Sequence, residues 1–209
     1  MSVPPHPVWP DRLPESPSQT AGPYVHIGLT PGAAGIDGIH GADLGRGPLY
    51  EDGVEGERVV LAGRLVDGAG VPLGDALVEL WQADARGRHP SPAETRGPSD
   101  PRFRGWGRRA TDADGAFRFE TVKPGRVPFG DGRLQAPHAS LWIVARGINL
   151  ALHTRLYFDD EPEANAEDPL LNLIPDPRRR ETLIAARDAD VYRRDIHLQG
   201  PDETVFLDV

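Results

Sequence analysis

The sequence predicts an all-β fold: an antiparallel β-sandwich with an extended N-terminal arm and one short helix. Three observations carry this. The chain has 24 glycines and 22 prolines in 209 residues, a loop-rich composition unsuited to a helical bundle. From Arg58 onward, short apolar or alternating runs recur between turn signals, the pattern of successive strands. Before Arg58 there is little periodicity. Residues 1–57 are therefore read as an arm and loop region that packs on a partner, and 58–209 as the sandwich domain.

In the arm, Pro4, Pro5, Pro7, Pro10, Pro14 and Pro17 punctuate the first stretch, and an apolar island runs from Tyr24 to Leu29. Such a segment cannot bury enough surface alone to offset its ordering entropy, so it is expected to lie against something. The first strand is expected over Arg58–Val66, ended by Asp67-Gly68-Ala69-Gly70, which is turn chemistry. Ala76–Ala83 is the second. Thr111–Gly115 reads as a turn into Ala116–Glu120, where Phe117 and Phe119 alternate with polar residues. His138–Arg146 reads as a strand buried on both faces, and His153–Phe158 as its neighbour. Tyr192–Gln199 alternates, and Thr204–Leu207 is a short final strand. The helix is expected from Pro177 to about Arg187, with Asp176 as N-cap and Pro177 in the first helical position.

Composition excludes several function classes. With no cysteine, the chain has no disulfide scaffold, no thiolate nucleophile and no Cys-ligated metal. A net charge of −9 opposes nucleic-acid binding through the overall field. The strongest apolar run, Leu141–Ala145, falls far short of the ~20 residues a bilayer span needs. The N-terminus has neither a basic start nor an apolar core, so no secretory signal is expected and the cytoplasm is the expected location. Basic residues are almost all arginine, with Lys123 the only lysine.

Seven histidines invite a search for a metal site, but no His-x-His or His-Glu-x-x-His occurs. His89, His138 and His153 would need the fold to bring them together; His6 and His40 fall in loops. Thr111–Gly115 lacks the glutamate a calcium loop needs and is a hairpin turn. Asp159, Asp160, Glu161 and Glu163 read as a solvated loop. No Gly-x-Ser-x-Gly elbow is present.

Several stretches carry a family resemblance. Val78-Glu79-Leu80-Trp81-Gln82-Ala83-Asp84 followed by Gly87, with Thr111–Phe119 and Thr121-Val122-Lys123-Pro124-Gly125, resembles the signature region of the intradiol ring-cleavage dioxygenases. Pro17–Tyr24, Ala145–Asn149 and His153–Asp160 resemble the α-type subunits of that family's two-chain members. The resemblance runs from about residue 14 to the end. Catalytic members bind ferric iron through two tyrosines and a His-x-His pair, because hard, charged phenolates suit Fe(III). At the matching positions this chain has His89, Val127, His138 and Ser140. The resemblance thus implies no iron in this chain, His138 being a relic. It implies instead Fe(III) in a homologous β subunit, within a hetero-oligomer. There this chain would wall the interfacial pocket with Thr20, Gly22, Pro23 and Arg146 and have no catalytic residue of its own. The implied substrates are O2 and 3,4-dihydroxybenzoate, giving 3-carboxy-cis,cis-muconate. Two other readings remain: a transthyretin-like binding module, and a self-sufficient iron dioxygenase using an altered set such as His89 and His138.

Overall fold

A computed structural model describes residues 19–38, 44–149 and 151–208. The proline-rich start, Pro17 and Ser18 of the arm motif, His6 and His40 lie outside the described residues.

Among the described residues nine strands form one sheet, eight of them in a single path. They are β1 (Arg58–Val66), β2 (Leu77–Trp81), β3 (Trp106–Ala110), β4 (Ala116–Val122), β5 (His138–Val144), β6 (Leu152–Phe158), β7 (Ile184–Asp188), β8 (Val191–Arg193) and β9 (Ile196–His197). Their order is β3-β2-β5-β6-β7-β8-β1-β4, with β9 also beside β1. The path curls on itself. Its two end strands, β3 and β4, are joined by the Thr111–Gly115 turn, and Arg109 Nε reaches back to the Arg118 carbonyl at 2.8 Å. Asp112 closes that turn by accepting from the backbone N–H groups of Asp114 and Ala116, at 3.0 and 2.9 Å. Leu61, Leu65, Phe117 and Phe119 from β1 and β4 meet Val78, Leu80, Leu141, Ile143, Leu156 and Phe158 from β2, β5 and β6 in one buried cluster. This is a sandwich core. The alternation expected in β4 is present, with Phe117 and Phe119 inward and Arg118 and Glu120 outward.

Within this fold class, details differ from the sequence reading. The sheet is mixed: β1 pairs in parallel with β8 and β9, and β6 with β7. The β6–β7 crossover carries α2 (Pro162–Glu167) and α3 (Pro177–Glu181), as a parallel connection requires. α3 starts as expected, Asp176 accepting from Arg178 N–H at 2.9 Å, but it stops at Glu181. Thr182 Oγ1 donates to the Arg179 carbonyl at 2.7 Å and closes the last turn. Leu183 and Ala185 then bury completely in the sheet, so strand pairing overrides helix propensity. Within the arm, Gly22 has extended backbone. Pro23–Leu29 is a helix, α1, with proline in its first turn. β5 is buried on one face, not two: Ala139, Leu141 and Ile143 point inward while Ser140, Trp142 and Val144 are half-exposed. The Tyr192–Gln199 run breaks into β8 and β9 at Arg194 and Asp195, where the Arg64 N–H donates to the Asp195 carboxylate at 3.0 Å instead of to a strand carbonyl. The Arg194 carbonyl sits 1.9 Å from where a side chain on Gly63 would begin, so only glycine fits there. Thr204–Leu207 makes a single bridge, Leu207 to His153. The acidic run is not simply solvated: Asp160 accepts from Lys123, Arg187 and the Tyr192 hydroxyl at 2.7–2.9 Å.

Candidate functional site

The Trp81–Gly87 segment folds as it does because two of its polar side chains are consumed by backbone. Gln82 is buried and donates to the Val122 and Ala83 carbonyls at 2.8 and 3.1 Å. Asp84, 1% exposed, accepts from Arg86, Arg88 and Asp100 N–H at 2.8–2.9 Å. This turns the chain sharply after β2. Gly87 has φ +72°, and a side chain there would begin 2.1 Å from the Arg126 carbonyl. The loop carrying His89 therefore packs backbone-to-backbone against the loop carrying Val127.

The start of β5 completes the arrangement. His89, Val127, His138 and Ser140 line one cavity of about 380 Å³ together with Trp81, Arg96, Pro128, Gln135 and Arg155. The Trp81 and His89 rings stack, 5.5 Å between centroids and 8° from parallel. His138 Nδ1 donates to the Ala136 carbonyl at 2.8 Å. Burial, then the charge of Arg155, push its pKa down to about 3, so the imidazole is neutral. Burial also lowers the pKa of His89. Arg96 is forked onto Glu94. The donor set does not fit a ferric ion. Val127 offers hydrocarbon and Ser140 a neutral hydroxyl. No phenolate is among the four, and two guanidinium groups share the space. Hard, anionic oxygen donors would be needed there. Among the described residues no group of three or more His, Asp or Glu side chains is placed to hold a metal. His153 lines a different cavity, with Trp81, Trp106 and Trp142.

The other expected residues gather elsewhere. The Gly147 N–H donates to the Thr20 hydroxyl at 2.8 Å, which fixes the arm beside Arg146. Gly22 is the N-cap of α1 and Pro23 its first residue. His26 Nε2 donates to the Asp75 carbonyl at 2.8 Å, and the Asp75 carboxylate pairs with Arg146. Thr20, Gly22, Pro23 and Arg146 thus share one end of the sheet, where Tyr24 is 83% exposed. β5 runs from His138 to Val144, about 20 Å at ~3.3 Å per residue, and Arg146 lies in the turn beyond its far end. The two groups of residues cannot wall the same cavity within one chain.

Sequence reasoning missed Arg96, Gln135 and Arg155. Arg155 enters through register, paired with Ser140, itself paired with Trp81. Strand pairing of that kind leaves no local signal.

Comparison with known proteins decides the family. A family model described as Dioxygenase matches residues 39–200. The protocatechuate 3,4-dioxygenase alpha chain of Pseudomonas putida is 48% identical over 203 residues, covering 95% of this chain and 98% of that one. The chain belongs to the intradiol ring-cleavage dioxygenase family. Within this family, the beta chain of protocatechuate 3,4-dioxygenase from Burkholderia cepacia is 36% identical over 160 residues, covering 71% of this chain and 67% of that one. Alpha and beta chains thus occur as separate relatives. The intradiol fold also relates the chain to the solved 3-chlorocatechol 1,2-dioxygenase of Rhodococcus opacus 1CP, with TM-score 0.56 and 21% identity, covering 78% of this chain and 66% of that one. Among the described residues no helix is long and apolar enough to cross a membrane.

Proposed function

We propose that this chain is the iron-free alpha subunit of a two-chain protocatechuate 3,4-dioxygenase. A homologous beta chain holds Fe(III), and the complex cleaves 3,4-dihydroxybenzoate with O2 to 3-carboxy-cis,cis-muconate in the cytoplasm. The observation that carries this reading is the separation along β5. Thr20, Gly22, Pro23 and Arg146 sit at the end remote from the cavity of His89 and His138, which leaves them free to wall a pocket of another chain. Thr20 holds the arm against Gly147, and the Gly22–Pro23 backbone turns it into α1. The exposed faces of Tyr24 and Ile27 supply apolar surface for the partner. The Arg146 side chain is 74% exposed and bound to Asp75. An exposed pair of this kind contributes only about 0–1 kcal/mol, so its guanidinium is cheaply redirected to an anionic substrate. The iron is the group that activates the catechol; this chain shapes the site and supplies positive charge.

The test is coexpression with a homologous beta chain, followed by counting iron and oxygen uptake. One ferric ion per alpha–beta pair is expected, with none in the alpha chain purified alone. Stoichiometric iron in the lone chain, or a beta chain fully active by itself, would overturn the reading.

A further inference from the structure

The cavity beneath Trp81 is lined for a ligand. Across the outer face of the sheet, Trp106, Trp81, Ser140 and Arg155 occupy one cross-strand row on β3, β2, β5 and β6. Neighbouring strands lie ~4.8 Å apart, so the backbones of Trp81 and Arg155 stand about 10 Å from each other, with only the small Ser140 between. That leaves a slot above Ser140 bounded by an indole on one side and a guanidinium on the other.

The charges in this slot do not cancel. Glu94 neutralises Arg96. Arg155 has no carboxylate partner among the described residues: its Nη1 donates to Gln135 Oε1 at 2.6 Å and to the Tyr157 hydroxyl at 3.2 Å. Both partners are neutral, burial pushing the Tyr157 phenol pKa further up. Its Nε–Nη2 edge, which matches a carboxylate in a bidentate fork, takes part in neither bond. His89, lining the same cavity, has its Nδ1 buried without a partner among the described residues. A volume of about 380 Å³ falls among ligand pockets.

We propose that this cavity binds a planar aromatic monocarboxylate without a metal. The ring lies over Ser140 against Trp81, and the carboxylate takes the free edge of Arg155. One guanidinium with no carboxylate in direct contact selects a single negative charge, and the indole wall selects an aromatic body over an aliphatic one. The proposal holds whether or not the chain pairs with a beta chain.

It is tested with 4-fluorobenzoate, titrated into the full-length chain alone and followed by fluorine NMR. Saturable binding is expected. Arg155→Met should weaken it by about 10- to 150-fold, the loss of a charge-assisted hydrogen bond. Ser140→Phe, which fills the slot and leaves Arg155 in place, should abolish it, while Arg146→Ala should leave it unchanged. Acetate should compete poorly. No saturable binding to the folded wild-type chain would overturn the proposal. So would binding that survives both cavity variants, or acetate displacing the probe as well as benzoate does.

Discussion

At one end of β5 the protein closes on itself, and at the other it opens outward. Near Ala136 the carboxylate of Asp168, fully buried, accepts from Ala136, Leu170 and Leu171 N–H at 2.7–2.9 Å and from the Tyr157 hydroxyl at 3.3 Å. His138 and Glu94 are also turned inward. Near Arg146 the polar contacts are few and exposed: one ion pair to Asp75, and one hydroxyl from an arm whose Tyr24 and Ile27 face outward. A single strand thus carries one end where Asp168, His138 and Glu94 are paired within the chain and another where Arg146 and the arm face outward. The difference teaches that polar groups with fully internal partners act on stability, while groups held loosely at the surface act on function.

The largest effect expected from this contrast is at Asp168. Asp168→Ala orphans two buried N–H donors, those of Ala136 and Leu171, and the partly buried one of Leu170, each buried one worth about 1–3 kcal/mol. Urea unfolding should show a loss of several kcal/mol. A loss under ~1 kcal/mol would mean that the inward end is less tightly bound than described.

A smaller effect, one that depends on pH, is expected at Glu94. Its fork with Arg96, opposed by burial and helped by the Arg96 and His89 N–H groups, lowers its pKa to about 2. An unfolded glutamate titrates near 4.3. The carboxylate therefore contributes stability that is fully present above about pH 4.3 and is lost as pH falls through about 2. The contribution is about 1–3 kcal/mol. Glu94→Gln should lose this component, so its stability should fall less steeply than wild type between about pH 5 and about pH 2. Parallel curves would place the acid sensitivity elsewhere, in groups such as Asp160.

Much of the fold was legible because it rests on local chemistry. β1 coincides with its expected span, bounded by the Asp67–Gly70 turn, and β4 shows its alternation openly. β3 was not legible. Its Trp-Gly-Arg-Arg-Ala sequence hides a strand whose Arg108 is held by Glu79, at 2.7 Å from Nε, and lies over Trp106. β7 was masked by a good helix start at Asp176, because burial of Leu183 and Ala185 is a tertiary fact. α1 did have a signal, Pro23 in its first turn, outweighed by the surrounding glycines and prolines. Of the four positions around the cavity, Val127 and Ser140 were found through family resemblance alone, whereas His89 and His138 stood out as histidines. Arg155 could be found in neither way, since its place depends on pairing with Ser140. The separation of the two ends of β5 emerged only once the strand was seen to run from His138 to Val144, with Arg146 in the turn beyond.

Arg146 gives the smallest stability effect and the most direct test. In the complex with a homologous iron-bearing beta chain, Arg146→Ala should change unfolding stability by only about 0–1 kcal/mol and leave assembly and iron content intact. Its kcat/KM for 3,4-dihydroxybenzoate should nevertheless fall by about 10- to 150-fold, the value of one charge-assisted hydrogen bond. Unchanged kinetics in an intact, iron-loaded complex would contradict the account, and so would a loss of assembly that makes the Asp75 pair a structural tie.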